Sequence, residues 1–166
     1  MIRSIQGKAF VFGANIDTDQ IYPGRYLDLT DADLVAQHAM EGADPDFVKL
    51  VQPGDIIVAK TNFGCGSSRE HAAITLKSLG IGAILAESFA RIFYRNGINL
   101  GLPLIVVPGI GTKVKTGDQL SVDIQSGLVI NNTSGEKIKS EQISQYMFNI
   151  LDNGGIKGLI KEQYKK

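Results

Sequence analysis

Residues 55–86 read DIIVAKTNFGCGSSREHAAITLKSLGIGAILA, and this stretch decides the fold. Its first five residues form a β-branched apolar run of the kind that a buried strand uses, and the run at 82–86 is similar. Apolar side chains between the two runs recur at the spacing of one helix face: Ala72, Ala73, Leu76 and Leu79. Gly80 is a natural terminator for that helix. The stretch therefore predicts a strand, a helix and a second strand.

The same alternation continues on both sides of this stretch. Ser88 is predicted to cap a second helix that ends near Gly97, and residues 104–107 (LIVV) form a third apolar run. Three side chains share the inner face of that helix: Phe89, Ile92 and Phe93. A further strand is predicted at 8–12 (KAFVF). Strands that alternate with helices through short connections indicate a parallel sheet with right-handed crossovers.

Beyond residue 108 the pattern changes. Short strands at 120–124 and 128–131, separated by a glycine-containing turn, are typical of an antiparallel hairpin. A last helix is expected over 140–151, and the tail from about residue 153 is expected to fray. No linker divides the chain, so we expect a single α/β domain over residues 1–166.

The composition excludes several classes of protein. Seventeen basic residues balance seventeen acidic ones, and no stripe of Lys and Arg with interleaved aromatics occurs, so a nucleic-acid partner is not expected. No segment resembles a signal peptide or a membrane span, which predicts a cytoplasmic protein. Cys65 is the only cysteine, so this chain alone offers neither a disulfide nor the thiolates of a zinc or iron–sulfur site. We expect no metal ligand in this chain.

The turn NFGCGSSREH carries the chemistry of the central stretch. Gly64 and Gly66 permit positive φ or close backbone approach, and Ser67 with Glu70 fits a capping box that opens the helix. Such a helix start presents free amide donors to an anion, and Arg69 offers a bidentate clamp for a carboxylate. The pattern lacks the Lys of a P-loop, the spacing of a dinucleotide fingerprint and the GxSxG of a nucleophile elbow. The residues alone leave two readings, an anion-binding helix start and a purely structural turn.

Three motifs occur in the order in which one known family has them. They are TDQI at 18–21, GCGSSREH at 64–71 and SFARIFYRNGINLGLP at 88–103. Together they resemble the swivelling small subunits of the aconitase superfamily over most of residues 7–110, and the likeness is closest to the short bacterial and archaeal small subunits of 3-isopropylmalate dehydratases. The resemblance implies a swivelling three-layer β/β/α domain with a partly parallel sheet, helices on one side and a small antiparallel β portion.

By this resemblance Ser67 is the base that removes a proton from the substrate carbon beside a carboxylate, and Asp19 occupies an acidic active-site position. Ser68 and Arg69 bind substrate carboxylate, and the loop at 25–30 discriminates between substrate side chains. That loop contains Arg25, Tyr26, Leu27, Asp28, Leu29 and Thr30. Three residues offer backbone amides to an anion: Gly64, Cys65 and Gly66. A serine hydroxyl is a very weak base, so these amides and a fixed cation are needed to stabilise its alkoxide.

Other residues near the motifs have ordinary structural interpretations. His71 is expected to pack and hydrogen-bond within the domain, and Cys65 is read as a small residue tolerated between two glycines. Arg91 and Arg95 are read as helix-surface or interface charges. His38 is read as an ordinary surface or half-buried histidine, because nothing nearby in the sequence orients it.

The resemblance also implies a partner. The family uses a large subunit that carries a [4Fe-4S] cluster on three cysteines, and a small subunit that closes the active site. This chain would then bind no cofactor itself and be active only with its large subunit, as a heterodimer or heterotetramer. The reaction implied is that of a hydro-lyase that isomerises 2-isopropylmalate and 3-isopropylmalate in leucine biosynthesis.

Two alternatives stay open. The letters YLDLT at 26–30 match neither the isopropylmalate-type nor the homoaconitate-type loop, so the small subunit of a homoaconitase or of a methylmalate/citraconate hydratase is a second reading. A non-catalytic anion-binding module that keeps the fold without the partner is a third.

Overall fold

The computed structural model describes residues 4–165, and within them seven strands form one mixed sheet. In chain order the strands are β1 (Ser4–Val11), β2 (Ile56–Ala59), β3 (Ala83–Ala86), β4 (Leu104–Val106), β5 (Gln119–Asp123), β6 (Leu128–Asn131) and β7 (Lys137–Lys139). Their order across the sheet is β4-β3-β2-β1-β5-β6-β7. β1 therefore joins a parallel half to an antiparallel half.

The α-helices of the described residues lie mainly between and after the strands. In chain order they are α1 (Thr18–Ile21), α2 (Ala32–Ala36), α3 (Phe47–Leu50), α4 (Glu70–Leu79), α5 (Arg91–Asn99), α6 (Gln145–Asp152) and α7 (Ile156–Gln163). α4 packs between α2 and α5, and α5 also contacts α6 and α7. No helix within residues 4–165 combines the length and the apolar character that a membrane span requires.

The parallel half follows the sequence prediction. β1 pairs with β2, β2 with β3 and β3 with β4, all in parallel, and every residue of β2 and β3 is buried. Such burial is expected where helical crossovers cover a parallel sheet. Gly80 ends α4 in the left-handed conformation, and its N–H donates to the carbonyl of Leu76. The mixed α/β fold with a partly parallel sheet is confirmed, whereas the single-domain assignment over residues 1–166 stays a prediction.

The antiparallel half contains the predicted hairpin and one further strand. β1 pairs with β5, β5 with β6 and β6 with β7. In the β5–β6 turn the Asp123 carboxylate accepts hydrogen bonds from the N–H groups of Gln125 and Ser126, and Gly127 adopts a φ of +78°. β7 has no counterpart in the sequence prediction, because only Ile138 of its three residues is buried and the letters KIK show no apolar pattern.

The start of α5 corrects the sequence prediction. The helix begins at Arg91 and runs to Asn99, two residues beyond the predicted end. Ser88 does not cap it, because the Ser88 hydroxyl accepts a hydrogen bond from the N–H of Asn62. Ile92, which is expected to face inward, is 45% exposed, and the buried residues of the helix are Phe93, Gly97 and Ile98. The segment before the helix stays extended through a bridge between Phe63 and Phe89.

The carboxyl-terminal region also differs from expectation. The last predicted helix begins only at Gln145, where the Ser144 hydroxyl accepts a hydrogen bond from the N–H of Met147. The segment expected to fray from about residue 153 instead forms α7, with Leu159 buried. Burial of Leu159 and partial burial of Ile156 give this segment a reason to stay folded, although its sequence is rich in lysine.

Candidate active site

The loop after β1 and the turn after β2 run side by side. The N–H of Thr18 donates to the carbonyl of Cys65 at 2.8 Å, and the N–H of Gly64 donates to the carbonyl of Ile16 at 2.7 Å. Asp17 and Cys65 form a short parallel bridge. Both segments follow the carboxyl ends of parallel strands, where open α/β sheets bind their ligands.

The glycines of the turn are required by its backbone. Gly64 has a φ of +87° and Gly66 has a φ of +101°, conformations that L side chains rarely adopt. A Cβ at position 64 would also lie 2.3 Å from Cγ of the Phe93 side chain. The turn therefore packs directly against α5. The N–H of Gly64 already donates to the carbonyl of Ile16, so it is not free for an anion as expected, and the amide roles of Cys65 and Gly66 stay predictions.

Gly64→Ala is expected to lower the free energy of unfolding by about 2–4 kcal/mol, because left-handed backbone strain adds to overpacking against Phe93. Chemical denaturation of both proteins would measure the difference. Gly13→Ala is the matched control, since a Cβ there meets nothing within 4 Å. Equal stability of the two variants would contradict the packing described for the turn.

Ser67 does not cap α4, which corrects the predicted capping box. The helix starts at Glu70 with Arg69 in the N-cap position, and no side chain caps it. The exposed Ser67 hydroxyl instead lies 3.2 Å from the hydroxyl of Thr18. The pairing arises because the two adjacent loops bring α1 beside the turn. Because the Ser67 hydroxyl does not cap α4, it is free to contact a substrate.

Thr18 is a site residue that the sequence interpretation does not single out. It is 3% exposed and belongs to α1, whose start is held by a capping box between Asp17 and Gln20. The Asp17 carboxylate accepts a hydrogen bond from the N–H of Gln20 at 2.7 Å. The side-chain oxygen of Gln20 accepts one from the N–H of Asp17 at 2.9 Å. The TDQI motif contains Thr18, so the motif itself is the signal that could have identified it.

Asp19 and Arg69 form the charged part of the site. Arg69 Nη1 lies 2.7 Å from Asp19 Oδ1, and the same carboxylate oxygen accepts the N–H of Gly24 at 2.9 Å. Arg69 also donates to the carbonyl of Tyr22 at 3.3 Å. The hydrogen bond from Arg69, followed by that from Gly24, holds the pKa of the Asp19 carboxyl below its ordinary value. A guanidinium fixed in this way stands two residues from Ser67.

Three of the predicted substrate residues are open to solvent without a side-chain partner among the described residues. Ser68, Asp28 and Thr30 are exposed and make no hydrogen bond or ion pair through their side chains there. Leu27 is 39% exposed. Leu29 is half-buried, and its carbonyl lies 3.3 Å from Nε2 of His71. The tip of the loop is therefore a free surface next to the charged pair.

Arg25 and Tyr26, the first two residues of the loop, have side-chain partners among the described residues, unlike the residues at its tip. The Tyr26 hydroxyl donates to Glu41 Oε1 at 3.0 Å, and Arg25 approaches the same oxygen at 3.4 Å. The ring of Tyr26 stacks on His38 with centroids 3.6 Å apart. His38 Nδ1 in turn lies 2.8 Å from Glu41 Oε2. His38 is thus oriented by Glu41, and the sequence-based view that nothing orients it is wrong.

Ser67 also lines a shallow surface depression between the turn and the start of α5. Six residues line it: Gly64, Gly66, Ser67, Ala90, Arg91 and Ile92. Arg91 is exposed at the first residue of α5 and has no hydrogen bond or ion pair among the described residues. An unpaired cation in the same depression as Ser67 is not predicted from the sequence, because only the tertiary fold brings α5 next to the turn.

His71 and Cys65 are placed as structural residues. The imidazole of His71 stacks on Tyr22 with centroids 5.3 Å apart, in agreement with the expected packing role. Cys65 is half-buried and uses its carbonyl to bind Thr18. Among residues 4–165 no group of three or more His, Cys, Asp or Glu side chains is arranged to hold a metal ion.

Comparison with known proteins gives one family and close relatives. The family described as Aconitase C-terminal domain matches residues 14–108. A 3-isopropylmalate dehydratase small subunit 1 of Methanopyrus kandleri is 52% identical over 159 residues, covering 96% of this chain and 94% of that protein. A methanogen homoaconitase small subunit of Methanothermobacter thermautotrophicus is 51% identical over 152 residues, covering 92% and 90%.

A solved structure shares the fold. The crystal structure of a 3-isopropylmalate dehydratase from Methanocaldococcus jannaschii superposes with a TM-score of 0.92 at 44% identity, covering 96% of this chain and 95% of that one. Its match extends through the antiparallel strands as well as the parallel half. Near-equal identity to relatives named for different substrates means that overall similarity does not select the substrate.

Proposed function

The chain belongs to the aconitase family, and from this we propose that it is the small subunit of a hydro-lyase that interconverts 2-isopropylmalate and 3-isopropylmalate by dehydration and rehydration. The observation that carries the proposal is the exposed Ser67 hydroxyl, which lies 3.2 Å from the Thr18 hydroxyl, stands two residues before the ion-paired Arg69 and lines one depression together with Arg91. Relatives of nearly full length with the isopropylmalate dehydratase name support the substrate class.

Ser67 is proposed to act as the base. Its oxygen takes the proton from the carbon beside a substrate carboxylate, and the hydroxyl on the neighbouring carbon leaves as the alkene forms. Because a serine oxygen accepts a proton readily only as alkoxide, its negative charge needs stabilisation. The Thr18 hydroxyl, 3.2 Å away, is a donor that supplies it, and the nearby cations lower its energy further. In rehydration the same oxygen returns the proton.

Arg69 and Ser68 are proposed to hold the substrate carboxylate. Arg69 uses Nη1 for both of its hydrogen bonds within the described residues, to Asp19 and Tyr22, so its remaining N–H groups are free for a carboxylate. Asp19 keeps the guanidinium in place, and its lowered pKa means that it stays charged while doing so. The role of Asp19 is therefore to orient the clamp.

The partner is proposed to be a large subunit that carries a [4Fe-4S] cluster. Bound there, the cluster would act as a Lewis acid on the leaving hydroxyl and a carboxylate of the substrate. Family membership and the small-subunit names of the relatives support this division of roles. Within it, this chain supplies the base, the carboxylate clamp and the loop at 25–30 that contacts the variable side chain.

Isopropylmalate has two carboxylates. Arg91 is proposed to bind the second one, because Arg91 lines the depression that also contains Ser67. Arg91→Gln is expected to raise the KM for isopropylmalate by about 10- to 100-fold, the loss of one charged hydrogen bond pair. Steady-state kinetics of the reconstituted enzyme would measure it. Arg95→Gln, an exposed change on the same helix outside that depression, is the control, and equal KM values for the two variants would contradict the role of Arg91.

The substrate is tested by assaying the reconstituted enzyme on isopropylmalate, homocitrate and citramalate. We expect a larger kcat/KM for isopropylmalate than for homocitrate, because Asp28 is an exposed carboxylate on the loop proposed to meet the variable group and would repel a third substrate carboxylate. A larger kcat/KM for homocitrate would instead favour the homoaconitase alternative. Activity on none of the three would favour a non-catalytic module.

A further inference from the structure

We infer that Glu41, together with His38, is a positioning residue that fixes Arg25 and Tyr26 at the start of the substrate loop and thereby sets which hydroxy acids the enzyme accepts. The inference rests on the proposed function, because it concerns the selectivity of that reaction. Neither Glu41 nor His38 belongs to the residues that contact substrate in the proposed mechanism.

The Glu41 carboxylate joins three side chains. Oε1 accepts from the Tyr26 hydroxyl at 3.0 Å and lies 3.4 Å from Nη2 of Arg25, while Oε2 lies 2.8 Å from Nδ1 of His38. The guanidinium of Arg25 also stands over the ring of Tyr26 at 4.7 Å from its centroid. Among the described residues, Glu41 is thus the one that hydrogen-bonds or ion-pairs with all three side chains, so loss of its carboxylate would leave them held to one another only by ring contacts.

The cluster is only partly open to water. The side chains of His38 and Glu41 are 24% and 26% exposed, compared with 65% for Arg25. Partial burial on its own raises the pKa of the Glu41 carboxyl, but the hydrogen bonds from His38 and Tyr26 outweigh it and leave this pKa below its ordinary value. Glu41 is thus a charged acceptor near neutral pH.

Glu41 is fastened to the same short helix that carries the site. The N–H of Met40 donates to the carbonyl of Ile21 at 2.7 Å, and the N–H of Gly42 donates to the carbonyl of Gln20 at 3.0 Å. A Cβ at position 42 would lie 2.7 Å from Cα of Gln20, so the two segments are in direct backbone contact. The backbone on both sides of Glu41 is therefore held against α1.

The backbone of Tyr26 is held by a second hydrogen bond, from Tyr22. The buried Tyr22 hydroxyl donates to the carbonyl of Tyr26 at 2.6 Å, and Tyr22 itself packs on His71. The backbone and the side chain of Tyr26 are thus both held to the frame that contains Asp19 and Arg69. The residues that follow, Leu27 and Asp28, remain exposed, so the cluster fixes the base of the loop and leaves its tip toward the substrate.

Glu41→Ala in the reconstituted enzyme tests the inference through a split between KM and kcat. We expect the KM for isopropylmalate to rise about tenfold, the effect of losing hydrogen bonds to a charged group, while kcat changes by less than about threefold because Ser67 and Arg69 are untouched. The ratio of kcat/KM for isopropylmalate to kcat/KM for citramalate should fall by a similar factor, because the larger isopropyl group of the substrate makes more contact with an ordered loop than a methyl group does.

Three further variants make the test specific. Glu41→Gln keeps an acceptor for Tyr26 and should recover most of the lost affinity, and His38→Phe keeps the stacking but loses the bond to Glu41 and should give an intermediate KM. Glu136→Ala removes an exposed carboxylate whose ion-pair partner is Lys113 at 3.8 Å, and should change nothing. If Glu41→Ala does not fold, Tyr26→Phe removes only the hydroxyl and should shift selectivity in the same direction.

The outcomes separate the two proposals. An active wild-type enzyme whose KM and substrate preference are the same in Glu41→Ala and Glu136→Ala overturns the positioning role and leaves the proposed function intact. A loss of kcat in Glu41→Ala without a change in KM or preference overturns it also. A wild-type complex that dehydrates none of the hydroxy acids overturns the proposed function, and the inference with it.

Discussion

In the assembled enzyme, Ser67→Ala is expected to lower kcat by about 10²- to 10⁴-fold, the range in which loss of a positioned general base falls. The change removes the atom proposed to accept the proton and leaves the rest of the site in place, because the Ser67 hydroxyl neither caps α4 nor bonds any described group except Thr18. KM should change little, since the hydroxyl contributes mainly in the transition state. Initial rates of alkene formation, followed by ultraviolet absorbance, would measure the loss.

Ser78→Ala is the matched control for this experiment. It makes the same chemical change on an exposed turn of α4, away from the loop after β1. Subunit association should be measured in parallel, so that a weakened complex is not mistaken for lost chemistry. A Ser67→Ala enzyme that turns over within about tenfold of the wild type would contradict the assignment of the base.

Arg69→Ala is expected to lower kcat/KM by about 10²-fold or more, because the substrate carboxylate loses a bidentate partner worth about 3 kcal/mol or more. Arg69→Lys should recover only part of the loss, since an ammonium keeps the charge but lacks the planar fork. Asp19→Asn keeps the shape of the Arg69 partner and removes its charge, so kcat/KM should fall less in this variant than in Arg69→Ala. Steady-state kinetics of the three variants in the assembled enzyme would rank them.

Thermal unfolding of the same variants separates binding from stability. The Asp19 carboxylate is 67% exposed, and ion pairs with one such partner contribute little to folding. The melting temperature of Arg69→Ala should therefore stay close to that of the wild type while activity falls. A large fall in melting temperature with a matching fall in activity would show that Arg69 holds the fold and would remove the support for a clamp.

Local patterns were enough to predict the parallel half of the sheet. The apolar runs of β2, β3 and β4 and the helical spacing in α4 depend on residues close together in the chain, and the positive φ of Gly64 and Gly66 follows from residue type. The location of the turn at the carboxyl ends of strands follows from topology alone. These features required no knowledge of distant contacts.

Helix starts were predicted less well, because hydroxyl groups accept whichever partner the fold supplies. Ser67 and Ser88 both precede helices and fit capping positions by spacing, yet Ser67 pairs with Thr18 and Ser88 accepts the N–H of Asn62. These partners are 49 and 26 residues away in the chain. Competition between local caps and distant partners is a property of the folded state, and a single sequence does not contain it.

The charged residues of the site show the same limit. Asp19 and Arg69 lie 50 residues apart and meet only because the two loops run together. Arg91 reaches the depression beside Ser67 only because α5 begins there. His38 is different, because its partner Glu41 is three residues later and the i,i+3 spacing was present in the letters. The roles of these residues in substrate binding stay predictions until the variants are assayed.

The most direct test of the central claim is reconstitution from separately purified subunits. The large subunit with its cluster is held constant, increasing amounts of this chain are added, and alkene formation from isopropylmalate is followed by ultraviolet absorbance. We expect no alkene from either protein alone, and a rate that rises with added chain and levels off at equimolar subunits. Alkene formation by this chain alone would contradict the account, and so would a mixture that forms the complex yet dehydrates none of the three hydroxy acids.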